Sequence, residues 1–166
     1  MITSLRPHPA PVNRLARLAP NAYRKAMTDA PKPYSLDDQI GYVLRRVTQR
    51  HLAIFAARIP EVTTTQFAVL ARLAEVGPLS QNQLGRATAM DAATIKGVVD
   101  RLVRLGYAAT AADPEDRRRL TVTLTDSGAD LFATRSATAL SVSAETLAPL
   151  TPAEQAQILA LLARLT

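Results

Sequence analysis

Three consecutive arginines, Arg117, Arg118 and Arg119, follow Asp113-Pro114-Glu115-Asp116 and lead into an alternating apolar stretch from Leu120 to Leu124. Guanidinium groups at this density bind anionic oxygens, since each is always charged and presents a fork of donors. Asp116 can hold a neighbouring arginine in place through a charge-assisted hydrogen bond. Other chemistry is sparse. Cysteine is absent and His8 and His51 are the only histidines, so thiol nucleophiles, disulfides and thiolate metal sites fall away. The chain holds no GxxxxGKS/T, GxGxxG or HExxH motif. Asp113, Glu115 and Asp116 lack the spacing and glycine of a calcium loop. The expectation is a protein that is not an enzyme, with no metal site and no cofactor.

An arginine cluster needs a mount. Tyr107 to Ala111 can form one strand and Leu120 to Leu124 a second, with Leu120, Val122 and Leu124 alternating against Thr121 and Thr123. The arginines then sit at the tip of a stiff hairpin, where they can follow a phosphate backbone or enter a narrow minor groove. Directly before the hairpin, "LSQNQLGRATAM" reads as a short helix capped by Ser80. "MDAATIKGVVDRLVRLG" reads as another, capped by Asp91 and ended by Gly106. Two short capped helices in succession are the sequence form of a helix-turn-helix. In the second, Ile95, Val98, Val99, Leu102 and Leu105 form the inward stripe. Ala92, Ala93, Thr94, Lys96, Gly97, Asp100, Arg101 and Arg104 remain outside. Small residues permit close approach to a major groove, Thr and Lys reach base edges, and arginines meet phosphates. The candidate DNA contacts are Ser80, Gln81, Asn82, Ala92, Ala93, Thr94, Lys96, Arg101, Arg117, Arg118 and Arg119, with Asp116 supporting the wing.

The flanks read as helices. "SLDDQIGYVLRRVTQRHLAIFAARIP" has Ser35 as its N-cap and a stripe of Leu36, Ile40, Val43, Val47, Ile54, Phe55 and Ile59 before Pro60 stops it. "TTTQFAVLARLAEVG" follows, capped around Thr63 to Thr65, with Phe67, Leu70 and Leu73 inward and Gly77 as its stop. After the hairpin, one helix starts at a Thr125 cap and carries Leu131, Phe132, Ala139 and Val142. The last opens with Thr151 and Pro152. Ile158, Leu159, Leu161, Leu162 and Leu165 make that terminal helix so apolar that a partner subunit is the economical cover.

The net charge of +6 belongs mostly to one end: residues 1–26 hold Arg6, Arg14, Arg17, Arg24 and Lys25 and no acid. Six prolines lie within the first 34 residues. Residues 1–34 therefore read as a disordered basic tail: a DNA-binding arm, a targeting peptide, or upstream sequence translated ahead of a natural start at Met27. No window approaches the roughly 18 uninterrupted apolar residues a membrane span needs, and a cytoplasmic location is expected.

Helix, helix-turn-helix, "DRLVRLGYA" and "DPEDRRRLTVTLTDSG" together resemble the MarR family of bacterial winged-helix transcription factors over residues 35–166. The carrying residues are Asp116 and Arg118, then Leu124, Thr125 and Gly128, and Asp100, Arg101 and Leu102. Gly97 departs from the pattern, since many members carry a larger residue there. The resemblance implies a mainly α fold with a small β-wing. It comprises a winged helix-turn-helix at 61–125 and dimerisation helices at 35–60 and 126–166. It further implies an obligate homodimer reading a pseudo-palindromic operator in double-stranded DNA, with Arg118 in the minor groove. A winged-helix module that binds protein and not DNA is the rival class, and the three wing arginines argue against it.

An input is suggested by His51, an ionisable ring on the apolar stripe four residues from both Val47 and Phe55. It reads either as a core histidine satisfied by a carbonyl or, with Tyr42, Arg46, Gln49 and Arg50 on nearby turns, as part of a seat for a small aromatic carboxylate. "QRHLAIF" and "SQNQLGRATAMDAATIKGVVDRL" are similar to the branch of the family that represses nicotinic acid catabolism. That likeness implies nicotinate or 6-hydroxynicotinate as effector and release of the operator on binding. A different phenolic or xenobiotic ligand is the alternative.

Overall fold

The computed structural model describes residues 33–112 and 120–166. Most of the basic tail and the segment Asp113 to Arg119 lie outside the described residues. The chain divides into two units, Met1–Gln39 and Ile40–Thr166.

In the described end of the first unit, Leu36–Asp38 forms a single 3-10 turn. Here the sequence reading is corrected, because Ser35 makes no side-chain cap bond and does not open the long helix. Its carbonyl accepts instead from the Asp38 N–H at 3.3 Å and from the Gln39 side-chain amide at 2.9 Å. Gln39 is extended (φ −86, ψ 123), which interrupts helical geometry before Ile40.

Among its described residues the second unit holds six helices and a small sheet: α1 Ile40–Arg58, α2 Thr64–Val76, β1 Leu79–Ser80, α3 Gln81–Ala87, α4 Ala92–Arg104, β2 Ala108–Ala112, β3 Leu120–Leu124, α5 Asp126–Leu147 and α6 Pro152–Ala163. The helices start where local chemistry can satisfy their free N–H groups. Thr63, Ser80 and Thr151 form reciprocal capping boxes with Gln66, Gln83 and Glu154, while Asp91 and Thr125 accept from the backbone of Thr94 and Gly128. Gly77 (φ +81) and Gly106 (φ +75) end α2 and α4 in the left-handed region that glycine tolerates.

The sheet is antiparallel in the order β1-β3-β2. Its first strand was not expected. Leu79 and Ser80 become a strand because they pair with Val122 and Thr121, a contact far away in sequence. One core joins the C-terminal part of α1, through Phe55 and Ile59, to α2, α3, α4, β3 and α5, with Leu70, Leu84, Val99, Leu102 and Val122 fully buried.

Expected inward positions on two helices prove exposed. Leu105 is the C-cap of α4, one residue past the helix, and turns outward. Of the stripe expected along α1, only Phe55 and, one residue past the helix, Ile59 are buried, with Ile54 packed beside them, while Leu36, Ile40, Val43 and Val47 are exposed. α6 contains no buried residue, and Leu159 and Leu161 are 57% and 49% exposed. Two apolar faces are therefore open in a single chain, which is where a homodimer has surface to cover.

Candidate DNA-binding surface and effector site

α4 is anchored on one side by Ile95, Val99 and Leu102, with Val98 half-buried, and shows Ala92, Ala93, Thr94, Lys96, Gly97 and Arg101 on the other. Its N-terminus is fixed by Asp91 Oδ1, which accepts from the Thr94 N–H at 2.7 Å. Hydrogen bonds from the Thr94 backbone and side chain and from the Ala93 backbone hold the Asp91 carboxyl below its ordinary value. The turn between α3 and α4 is tight. Ala89 sits at φ +53, and a Cβ added to Gly85 would lie 3.0 Å from Met90 O. That packing brings Asn82 of α3 and Ala92 of α4 into one hollow of about 210 Å³, so the two helices share one working edge. Ser80, by contrast, is occupied as a cap, its hydroxyl 2.8 Å from Gln83 Oε1. Gln81 beside it is half-buried.

Lys96 Nζ is paired with Asp100 Oδ2 at 2.6 Å one turn along. The pair is exposed and weak in water, so exchange of the lysine onto a phosphate or base edge costs little. Nothing lies within 4 Å of a Cβ built on Gly97, which leaves open space on this outer face. Asp116, Arg117, Arg118 and Arg119 lie outside the described residues; β2 and β3, on either side of them in the sequence, are paired from Ala108 with Leu124 to Ala112 with Leu120.

The end of α4 is locked to the start of α5. Thr125 Oγ1 donates to Gly106 O at 2.6 Å, Thr125 N–H donates to Tyr107 O at 3.2 Å, and Gly128 N–H donates to Thr125 Oγ1 at 3.1 Å. A Cβ at Gly128 would fall 1.9 Å from Tyr107 O. The Leu124, Thr125, Gly128 pattern is therefore a joint that lets the backbone of α5 touch Tyr107, in the turn that leaves α4.

The candidate effector residues separate into two groups on α1. Arg46 stacks over the Tyr42 ring at 5.8 Å. Arg50 and His51 meet the last turn of α5 instead. Arg50 Nη2 donates to Glu145 O at 3.1 Å and Nε to Thr146 O at 3.4 Å, while His51 Nδ1 lies 3.0 Å from Thr146 Oγ1. A guanidinium on the carbonyls of a helix C-terminus satisfies groups that the helix cannot, and complements its dipole. His51 is satisfied by a hydroxyl and not by the carbonyl expected of a core histidine. Gln49 is exposed. Sequence reasoning missed Thr146, Glu145 and Arg58, whose Nη2 meets Glu145 Oε2 at 2.8 Å, because each contact joins residues 87 to 96 apart in the sequence. It also missed a hollow of about 470 Å³ lined by Leu52, Phe55, Ile59, Glu61, Arg101 and Leu105 among others, which contains none of the five candidates. At its edge Glu61 Oε1 accepts from Arg135 Nε at 3.0 Å and from Nη2. Its own backbone N–H, then Arg135, holds the Glu61 carboxyl below its ordinary value against the opposing effect of burial.

Among the described residues no group of three His, Asp or Glu could hold a metal, and no helix is long and apolar enough to cross a membrane.

Residues 61–119 match the MarR family. The HTH-type transcriptional repressor NicR of Pseudomonas putida is 40% identical over 135 residues, covering 80% of this chain and 85% of that protein. A probable transcriptional regulator from Pseudomonas aeruginosa superimposes with a TM-score of 0.77 at 51% identity, over 80% of this chain and 100% of that one. BpsR of Bordetella bronchiseptica, whose DNA binding is regulated by 6-hydroxynicotinic acid, superimposes with a TM-score of 0.76 at 40% identity, over 81% and 97%. The winged helix-turn-helix expected from the sequence is the observed fold, and the chain belongs to the MarR family of DNA-binding transcriptional regulators.

Proposed function

We propose that this MarR-type repressor acts in the cytoplasm as a homodimer on a pseudo-palindromic operator in double-stranded DNA, and leaves it when a small aromatic carboxylate, nicotinate or 6-hydroxynicotinate, binds. The observation that carries the DNA half is the two-sidedness of α4: a fully apolar inner face fixed in the core, and an exposed face that is small at Ala92 and Ala93 and basic at Lys96 and Arg101. In the complex Thr94 and Lys96 reach base edges, Arg101 meets phosphate, and the wing arginines bracket the backbone with Arg118 in the minor groove. Ser80, Gln81 and Asn82 orient α3 against the adjacent phosphates. Pairing two chains through α1, α5 and α6 sets recognition helices one DNA turn apart, about 34–36 Å, and half-sites repeat at that interval.

His51 with Arg46 or Arg50, supported by Tyr42 and Gln49, receives the acid. The reading is supported by the similarity to BpsR and NicR and by the position of His51 and Arg50 on the last turn of α5. That helix begins at the Thr125 joint with α4, so a ligand that moves α1 against α5 acts on the spacing of the recognition helices. An effector shifts that spacing only by its differential affinity for two arrangements of the dimer, typically about 1–3 kcal/mol. The hollow beside Arg101 favours a second seat, with the ring on Leu52, Phe55 and Leu105 and the carboxylate on Arg101. Calorimetry with nicotinate, 6-hydroxynicotinate and salicylate on wild type and His51→Ala separates the two. Loss of heat in the variant, with operator binding retained, places the acid at His51. Undiminished heat moves it to the hollow, and no binding of any acid to wild type removes this effector class.

A further inference from the structure

His51 is hydrogen-bonded to α5 through Nδ1, and the proton inventory of that bond bears on the rest of the ring. Thr146 Oγ1 lies 2.8 Å from Val142 O, one turn back along α5, and 3.0 Å from His51 Nδ1. A carbonyl oxygen can only accept, so with the one hydroxyl proton on Val142, Thr146 faces the ring with a lone pair and Nδ1 carries the proton of the second bond. The competing form has the hydroxyl donating to a bare Nδ1 and the ring proton on Nε2. In the first form the one N–H of a neutral imidazole is at Nδ1, which leaves Nε2 as an acceptor. No described residue bonds Nε2, and it is not among the buried polar atoms without a partner, so it faces accessible space. The turn carrying Thr146 is itself pinned to α1 by Arg50, which holds the Glu145 and Thr146 carbonyls. The ring rests 6.4 Å from Phe55.

We propose that Thr146 determines effector specificity: by holding His51 as the Nδ1–H tautomer it requires the ligand to bring a proton donor to Nε2. The inference rests on His51 being an effector contact, as proposed above. Nicotinate at neutral pH offers acceptors alone, its carboxylate oxygens and its ring nitrogen, and would set a lone pair against a lone pair. 6-Hydroxynicotinate carries a donor in either of its forms, a hydroxyl or, as the lactam, a ring N–H. Salicylate carries a donor too, but its hydroxyl bonds its own carboxylate. The site therefore selects the ring-hydroxylated pyridine acid over the unsubstituted one, by about tenfold if one matched hydrogen bond is at stake.

The test pairs long-range 15N–1H spectra of the His51 ring with calorimetry of both acids, on the full chain as wild type, Thr146→Val and Thr146→Ser, with His51→Ala assigning the signal. Thr146→Val keeps the shape and removes the hydroxyl. The expected result is an Nδ1–H ring in wild type and in Thr146→Ser, both preferring 6-hydroxynicotinate about tenfold, and a shift toward Nε2–H in Thr146→Val with the preference reduced to about threefold or less. An Nε2–H ring in wild type, or an unchanged preference in Thr146→Val, overturns the inference while leaving His51 as an effector contact. If neither acid binds wild type, the effector reading fails and the specificity role falls with it, even where the spectra show the Nδ1–H ring.

Discussion

Gly128→Ala and Gly97→Ala make the same chemical change in two helices of this chain and should act in opposite directions. At Gly128 the added methyl would lie 1.9 Å from Tyr107 O and 2.9 Å from its carbonyl carbon. Both are backbone atoms, so neither can swing aside. Reaching the ~3.3 Å of a close carbon–oxygen contact requires the start of α5 and the backbone at Tyr107 to part by about 1.4 Å. That movement breaks the joint: the Thr125 cap on Gly128, worth about 1 kcal/mol, and the bonds from Thr125 to Gly106 O and Tyr107 O, about 1 kcal/mol each. Replacing glycine by alanine within a helix returns roughly 0.5–1 kcal/mol. The balance is a loss of about 2 kcal/mol, or roughly 4–8 °C in Tm for a chain of this size. At Gly97 nothing lies within 4 Å of the new methyl, so only the helix gain remains, about 0.5–1 kcal/mol, and Tm should rise by roughly 1–4 °C. Scanning calorimetry at one fixed protein concentration reads both, since a dimer's Tm depends on concentration. A Gly128→Ala protein that melts within 1 °C of wild type would show that the joint yields without cost, and the mechanical link drawn from α5 to α4 would lose its basis.

Three further outcomes are expected. The Glu61 carboxyl is held below its ordinary value of 4.5 in the fold, so its stabilising contribution is complete above that value and lost as pH falls through the lowered one. Tm should decline as the pH is taken below 4.5, and less steeply in Glu61→Gln, with equal slopes contradicting the assignment to this carboxyl. Removing Thr151 to Thr166 strips the apolar α6 and should cost dimerisation and operator affinity together. A soluble truncated monomer with full DNA affinity, seen by sedimentation and gel shift, would refute the dimer arrangement. Arg118→Ala should weaken operator binding by about 1–3 kcal/mol at physiological salt, and equal binding would remove the wing from the mechanism.

The caps at Thr63, Ser80, Asp91, Thr125 and Thr151 were legible because each acts over three residues. So was the two-sided α4, whose apolar spacing alone marks its buried face. Ser35 shows the limit of the same signal: a serine followed by two acids reads as a cap, yet Gln39 turns extended and the helix begins five residues later. β1 was illegible because two residues carry no periodicity and owe their state to pairing with β3. The contacts that give the candidate effector site its chemistry are long-range: Thr146 stands 95 residues from His51, and Arg135 stands 74 from Glu61. The resemblance led to the right module, but it could not show that His51 and Arg50 share one turn of α5.

The central claim is that this chain holds one DNA sequence and releases it to an aromatic acid. Its most direct test is fluorescence anisotropy of a labelled duplex from the DNA upstream of the chain's own gene, titrated with the full chain at about 150 mM salt, with and without saturating 6-hydroxynicotinate. Specific binding should exceed that to an unrelated duplex by at least about 10³-fold, and the acid should weaken it by roughly 5–150-fold. Equal affinity for the two duplexes, or an operator affinity that the acid leaves unchanged, would contradict the account.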